Sequence, residues 1–119
     1  MTKRIIKFRA RTLDGVWFIW NLLDPIDIAT LAIKKDTVGR STGLHDKNGK
    51  DVFEGDLVQC VEMHDYNLWA WVNNKPVSLP VFWDDRFASF RVGKFPEDYD
   101  LSQETLSAFA VVGNIYENQ

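Results

Sequence analysis

The chain has 119 residues, a formal net charge of −3 and an isoelectric point near 5.3. This length is typical of one folding unit, so we predict a single domain over residues 1–119. The acidic balance excludes overall electrostatic steering toward nucleic acid or anionic lipid. The lone cysteine, Cys60, excludes an internal disulfide.

Composition also bears on the compartment and the fold class. No stretch approaches the roughly 18 apolar residues of a membrane span, and residues 1–20 lack a signal-peptide pattern. We therefore expect a cytoplasmic protein. Aromatic residues make up 13% of the chain, five of them tryptophan, which favours a packed β-protein.

The first elements predicted are two strands joined by a turn. Ile6, Phe8 and Ala10 alternate with basic residues, which is typical of a half-buried strand. Asp14-Gly15 favours a turn, and residues 16–20 follow as a strand with apolar groups on both faces. This second strand is expected to be central or covered.

Residues 24–33 are open to two interpretations. Asp24, Pro25 and Asp27 form a helix-start pattern, and the later apolar residues have roughly helical spacing. We predict a short helix here, although Thr30 and the isoleucines are also compatible with a strand.

Further along, turns and strands alternate. Asn48-Gly49 and Gly55 predict tight turns, with a strand over residues 57–63. A turn is then predicted at 64–67, a strand at 68–72 with Trp69 and Trp71 on one side, and a turn at 73–76. An extended segment at 77–83, a turn at 84–86 and a strand at 87–92 follow. The last predictions are a polar loop at 93–100, a helical turn at 102–107 and a final strand at 109–116 broken by Gly113.

Pro80 lies within the extended segment and indicates an edge strand or a bulge there. Many short strands with frequent turns are typical of a small barrel or sandwich. The predicted fold class is therefore all-β, β-rich with a minor helix.

Four segments carry a resemblance that spans the chain. They are residues 5–10 (IIKFRA), 41–58 (STGLHDKNGKDVFEGDLV), 81–84 (VFWD) and 111–118 (VVGNIYEN). In this order they resemble the YopX-like family, found mostly in bacteriophages and prophages. The resemblance implies a small SH3-like barrel with additional strands and self-association, and implies no reaction. At Arg11-Thr12 the chain departs from the tryptophan-aspartate pair usual in the family.

Residues that could carry catalysis or bind a metal are few. Cys60 and His64, if both lie on one strand, are too far apart to share a metal, and His45 is distant in sequence. The paired carboxylates, such as Asp84-Asp85, fit exposed turns. We expect no catalytic residues, no cofactor and no metal, and interpret Cys60 as a core residue.

The basic residues near the N-terminus suggest nucleic-acid binding as an alternative function. Lys7, Arg9 and Arg11 would line one face of the first strand, where they could contact phosphates. The other interpretation is the solvated face of an edge strand, on which positive charge prevents edge-to-edge pairing.

The tryptophans suggest protein binding. Trp69 and Trp71 are candidate partner-binding residues, because tryptophan is enriched at interface hot spots. Core packing is the competing explanation for each ring. The leading hypothesis is a non-enzymatic phage or prophage accessory protein that forms a homo-oligomer and binds a host or phage protein in the host cytoplasm, without a membrane association.

Overall fold

The computed structural model describes residues 6–21, 32–63, 69–94 and 97–117. The turn predicted at 64–67 lies outside these residues, and so does the helix predicted at 24–33 except for its last two residues. The described strands are β1 (Lys7–Arg11), β2 (Trp17–Asn21), β3 (Gly39–His45), β4 (Asp51–Phe53), β5 (Asp56–Cys60), β6 (Trp71–Val72), β7 (Lys75–Pro76), β8 (Leu79–Asp84), β9 (Ser89–Lys94), β10 (Glu97–Asp100) and β11 (Phe109–Asn114).

The described strands form three antiparallel sheets. Their orders are β2-β1-β3-β4, β10-β9-β8-β5-β11 and β6-β7. A 3-10 turn at Lys35–Thr37 and a short helix, α1 (Gln103–Leu106), complete the described elements. The predicted all-β class is confirmed. The SH3-like barrel is not, because no sheet closes on itself among the described residues.

The β1–β2 hairpin follows the predicted alternation. Arg9 lies opposite Ile19, and Arg11 lies opposite Trp17. Directly opposed residues share a face, so the basic side chains of β1 share theirs with Trp17 and Ile19. Because β1 lies between β2 and β3, the edge-strand interpretation of the basic strand is wrong.

A tight corner at Gly55 joins β4 to β5, as predicted. Gly55 has a φ of +88°. Its N–H donates to the carbonyl of Val81 over 2.8 Å, and its carbonyl accepts from Ile115 N–H over 2.8 Å. The corner is thereby linked to β8 and to the residue that follows β11.

A methyl group at Gly55 is expected to destabilise the protein more than one at Gly15. Both glycines have positive φ, but a Cβ at Gly55 would lie 2.8 Å from Tyr116 Cε2, whereas a Cβ at Gly15 would contact nothing within 4 Å. Gly15→Ala should cost about 1 kcal/mol, and Gly55→Ala about 1–3 kcal/mol more. Equal unfolding midpoints in urea for the two variants would contradict the Tyr116 contact.

Pro80 lies in an interior strand, so the edge-strand prediction is wrong for β8 as well. β8 pairs with β5 at Leu79 and Pro80, and with β9 from Val81 to Asp84. The missing N–H of Pro80 falls where the strand passes from one neighbour to the other, which explains why proline is tolerated there.

The core lies within the five-stranded sheet and the elements packed against it. Its buried members are Val52, Val58, Cys60, Ala70, Leu79, Val81, Val92, Leu106, Ala108 and Phe109. The predicted core position of Cys60 is confirmed by its complete burial.

Ser102 caps α1 by accepting a hydrogen bond from the N–H of Thr105, which confirms the helical turn predicted at 102–107.

The polar loop predicted at 93–100 is instead a hairpin of β9 and β10. Arg91 on β9 donates to Asp98 on β10 over 2.7 Å and to Asp100. These cross-strand ion pairs explain how an acidic segment pairs as a strand.

Trp69 and Ala70 form a helical turn, so the strand predicted at 68–72 is confirmed only at Trp71 and Val72.

Candidate functional site: the inter-sheet cleft

The three basic residues of β1 have different environments. Lys7 Nζ pairs with Asp51 Oδ2 at 3.0 Å, and both side chains are about one-third exposed. Arg11 is half-buried and donates from Nη1 to the carbonyl of Tyr116 over 3.3 Å. Arg9 is buried. The structure therefore does not bring the three together as one solvated face.

Arg9 connects the two larger sheets. Its Nη2 lies 2.5 Å from Asp56 Oδ1 on β5. The guanidinium also lies 4.5 Å from the ring centroid of Trp17 and 4.8 Å from that of Phe53. The ion pair and the rings engage Nη2 and the face of the guanidinium, which argues against a phosphate contact there. The Nε of Arg9 is buried without a hydrogen-bond partner among the described residues.

Asp56 completes this buried pair. Its second oxygen, Oδ2, accepts from the N–H of Phe53 over 2.8 Å at the corner before β5. Burial raises the pKa of Asp56 above its ordinary value of 3.8, against the opposing effects of Arg9 and the Phe53 N–H. Sequence inspection missed this pair, since residues 47 apart carry no local pairing signal.

Trp69 and Trp71 both pack against the core. The ring of Trp69 stacks on Tyr99 at 4.1 Å and on Phe109 at 5.7 Å between centroids. Trp71 is half-buried, and its Nε1 is enclosed with no hydrogen-bond partner among the residues that the structure describes. Core packing thus accounts for part of each ring, and their partner-binding role stays a prediction.

A cleft of about 920 Å³ lies between the four-stranded sheet and the β8–β9 hairpin. We call it the inter-sheet cleft. The lining residues that bear on its chemistry are Lys7, Arg40, His45, Asp51, Trp83, Ser89 and Phe90. Of the basic residues singled out in the sequence, Lys7 alone lines it. Arg40 escaped notice because an isolated arginine in a turn-rich segment has no distinguishing pattern.

Arg40 projects from β3 toward the β8–β9 hairpin. Its guanidinium carbon lies 4.5 Å from the Trp83 ring centroid and 4.9 Å from that of Phe90. These two rings themselves meet edge to face at 5.0 Å. The rings therefore hold the guanidinium by cation–π attraction, which leaves its N–H groups free to point elsewhere.

Asp51 organises the opposite part of the cleft. It accepts from Lys7 Nζ, and its Oδ1 lies 2.8 Å from His45 Nε2. The nearby Thr42 hydroxyl donates to the carbonyl of Val52, and the Ser41 hydroxyl accepts from the N–H of Gly43. The hydrogen bonds of both hydroxyls are therefore to the backbone. The cleft presents positive charge and aromatic surface, which are features of a binding site.

Metal ligands and membrane-spanning helices are two further features that the described parts of the chain bear on. No group of His, Cys, Asp and Glu side chains there is arranged to hold a metal ion. Cys60 Sγ contacts the carbonyl of Glu62 at 3.0 Å, and His64 falls outside these parts. None of the described helices has the length and apolar character needed to cross a membrane.

The chain is an all-β protein whose two larger sheets are open, antiparallel and joined by a buried ion pair. The cationic inter-sheet cleft is its candidate binding site. The family model described as YopX protein matches residues 7–119, and the chain belongs to this family. No curated protein matches the chain.

Proposed function

We propose that the protein is a non-enzymatic phage or prophage accessory protein that self-associates and binds a host or phage protein in the host bacterial cytoplasm. Membership of the YopX family supports the phage-type assignment. The observation that carries self-association is the apolar, partly exposed strand β2.

Strand β2 has the properties of a pairing edge. Among the described strands it has a neighbour on one side only, β1. Residues 15–21 contain no charged side chain and no proline. Ile19 is 56% exposed, and Leu13 and Val16 at the turn are more exposed still. An edge strand with neither charge nor proline is a ready template for pairing with another strand.

A second copy of the chain is the occupant that fits this edge. Two β2 strands paired antiparallel about a two-fold axis would form one continuous sheet across the dimer. Because β2 carries no charge, this pairing brings no like charges together along the strand. Binding of a host or phage protein would then use surfaces that the dimer leaves open.

Ile19→Lys is expected to convert the oligomer to a monomer, since edge lysines prevent strand pairing. Val72→Lys is the matched control, because Val72 is 57% exposed on the separate β6–β7 hairpin. Light scattering should give a dimeric mass for the wild-type chain and for Val72→Lys, and a monomeric mass for Ile19→Lys. Circular dichroism would check that each variant folds.

A wild-type chain that stays monomeric at every concentration tested would contradict self-association. A dimer that survives Ile19→Lys but dissociates in Val72→Lys would place the contact elsewhere. Either result would overturn the assignment of β2 as the pairing strand.

A further inference from the structure

The guanidinium of Arg40 has no carboxylate partner among the described residues. None of the ion pairs among the described residues includes it. Its backbone N–H donates to the Glu54 carboxylate, but its charged group faces Trp83 and Phe90. The other cations nearby behave differently, since Lys7 and Arg9 each pair with an aspartate. Arg40 is therefore available to an incoming anion.

Ser89 provides an independent sign of a ligand. It lies on β9 beside Phe90 and lines the same cleft. Its hydroxyl oxygen is buried and has no hydrogen-bond partner in the part of the chain that the structure describes. A buried polar atom without a partner is costly to a folded protein, and a ligand that accepts its hydrogen bond would remove that cost.

The charges of the cleft favour an anion. Lys7 and Arg40 supply two positive charges, and Asp51 supplies one negative charge. Asp51 is already engaged by Lys7 and His45. The aromatic rings of Trp83 and Phe90 add flat surface next to this positive charge.

We propose that the inter-sheet cleft binds the phosphate group of a nucleotide, with Arg40 and the Ser89 hydroxyl as donors. The planar N–H fork of arginine matches phosphate geometry. Bases stack on aromatic rings and on guanidinium planes, both of which this cleft contains. Its volume of about 920 Å³ also lies within the range of small-molecule sites.

This site differs from the one that the basic N-terminal strand suggested. Arg9 is committed to Asp56, and Arg11 contacts the carbonyl of Tyr116. Only Lys7 belongs to both sets. The recognition chemistry thus centres on β3 and β9 and is independent of the pairing proposed for β2.

The test is isothermal titration of the full chain with inorganic phosphate, dAMP and a short oligothymidylate at several salt concentrations. Arg40→Gln should weaken dAMP binding about tenfold or more, since it removes hydrogen bonds to a charged group. Lys75→Gln is the control, because it removes the same charge from the exposed β7, outside the cleft, and should change affinity by no more than about twofold. Ser89→Val is a second variant, and it should fold normally because the Ser89 hydroxyl has no hydrogen-bond partner to lose among the described residues.

The outcomes separate the sources of the phosphate. Equal affinity for dAMP and the oligothymidylate would assign a free nucleotide, whereas tighter oligothymidylate binding with a steep salt dependence would assign a single strand. Three results would overturn the proposal: no binding of any probe, equal loss in Arg40→Gln and Lys75→Gln, or phosphate alone binding as tightly as dAMP.

Discussion

Asp56→Asn is expected to lower the free energy of unfolding by about 3–5 kcal/mol, because it leaves the buried guanidinium of Arg9 without a counter-charge. The Arg9 and Asp56 side chains are 9% and 1% exposed, so little water is available to replace the lost partner. The asparagine oxygen can still accept from the N–H of Phe53. The loss would therefore report mainly on the ion pair.

The companion variant Arg9→Met should cost a similar amount, because it leaves the Asp56 carboxylate buried alone. The double variant Arg9→Met/Asp56→Asn should cost clearly less than the sum of the single changes, since neither charge is then left unpaired. Urea unfolding of the four chains measures this coupling. Strict additivity would show that the pair does not join the sheets as the structure indicates.

Lys7→Met is the control on the same strand. Lys7 and Asp51 form an ion pair whose side chains are 36% and 32% exposed. Exposed pairs contribute less than about 1 kcal/mol, so this variant should unfold close to the wild-type midpoint. The contrast isolates burial as the reason for the large effect at Arg9.

The pH dependence of stability gives a further check on Asp56. Burial raises its pKa in the folded chain above the unfolded value of 3.8. Between these two pKa values the folded state binds more protons than the unfolded state, so the contribution of Asp56 to the free energy of unfolding falls as pH rises. Asp56→Asn should lack this component when unfolding is measured from pH 3.8 upward.

Phe109→Ala is expected to cost about 3–5 kcal/mol, through the cavity it creates in the core. Phe109 is 1% exposed and is the largest fully buried side chain among the described residues. It lies on β11 opposite Cys60 and stacks on Trp69 at 5.7 Å. Removing the ring should loosen the contact between β11 and the Trp69 turn.

Phe87→Ala is the matched control for this cavity. Phe87 is 57% exposed at the turn before β9, where its ring contacts Arg86 and Arg91. Its loss removes exposed cation–π contacts worth about 0.5–1 kcal/mol each. Thermal unfolding that shows equal shifts for the two variants would contradict the assignment of Phe109 to the core.

The β1–β2 hairpin and the Gly55 corner were predictable from sequence, because both depend on short-range rules. Alternating side chains specify a strand at β1, and Asp14-Gly15 and Gly55 supply the positive φ that the turns require. The Ser102 cap and the interruption of β11 at Gly113 are local features of the same kind. The family resemblance was equally readable, since it consists of contiguous segments.

The direction in which the basic face of β1 points could not be read locally. Alternation shows that Lys7, Arg9 and Arg11 share a face, but either face of a strand can be the buried one. The decision came from Asp56, whose carboxylate meets Arg9 only after β5 packs against the first sheet. The acidic strand β10 was missed for the same reason, because Arg91 on β9 neutralises it.

The sequence by itself determined the all-β class, the family, most of the turns and the core position of Cys60. Tertiary structure alone decided which of the described charges are buried in pairs. Arg40 acquires its importance from Trp83, Ser89 and Phe90, which lie more than 40 residues away along the chain. Long-range packing sets the environment of each ionisable group, and environment determines whether a charge stabilises the fold or can bind a ligand.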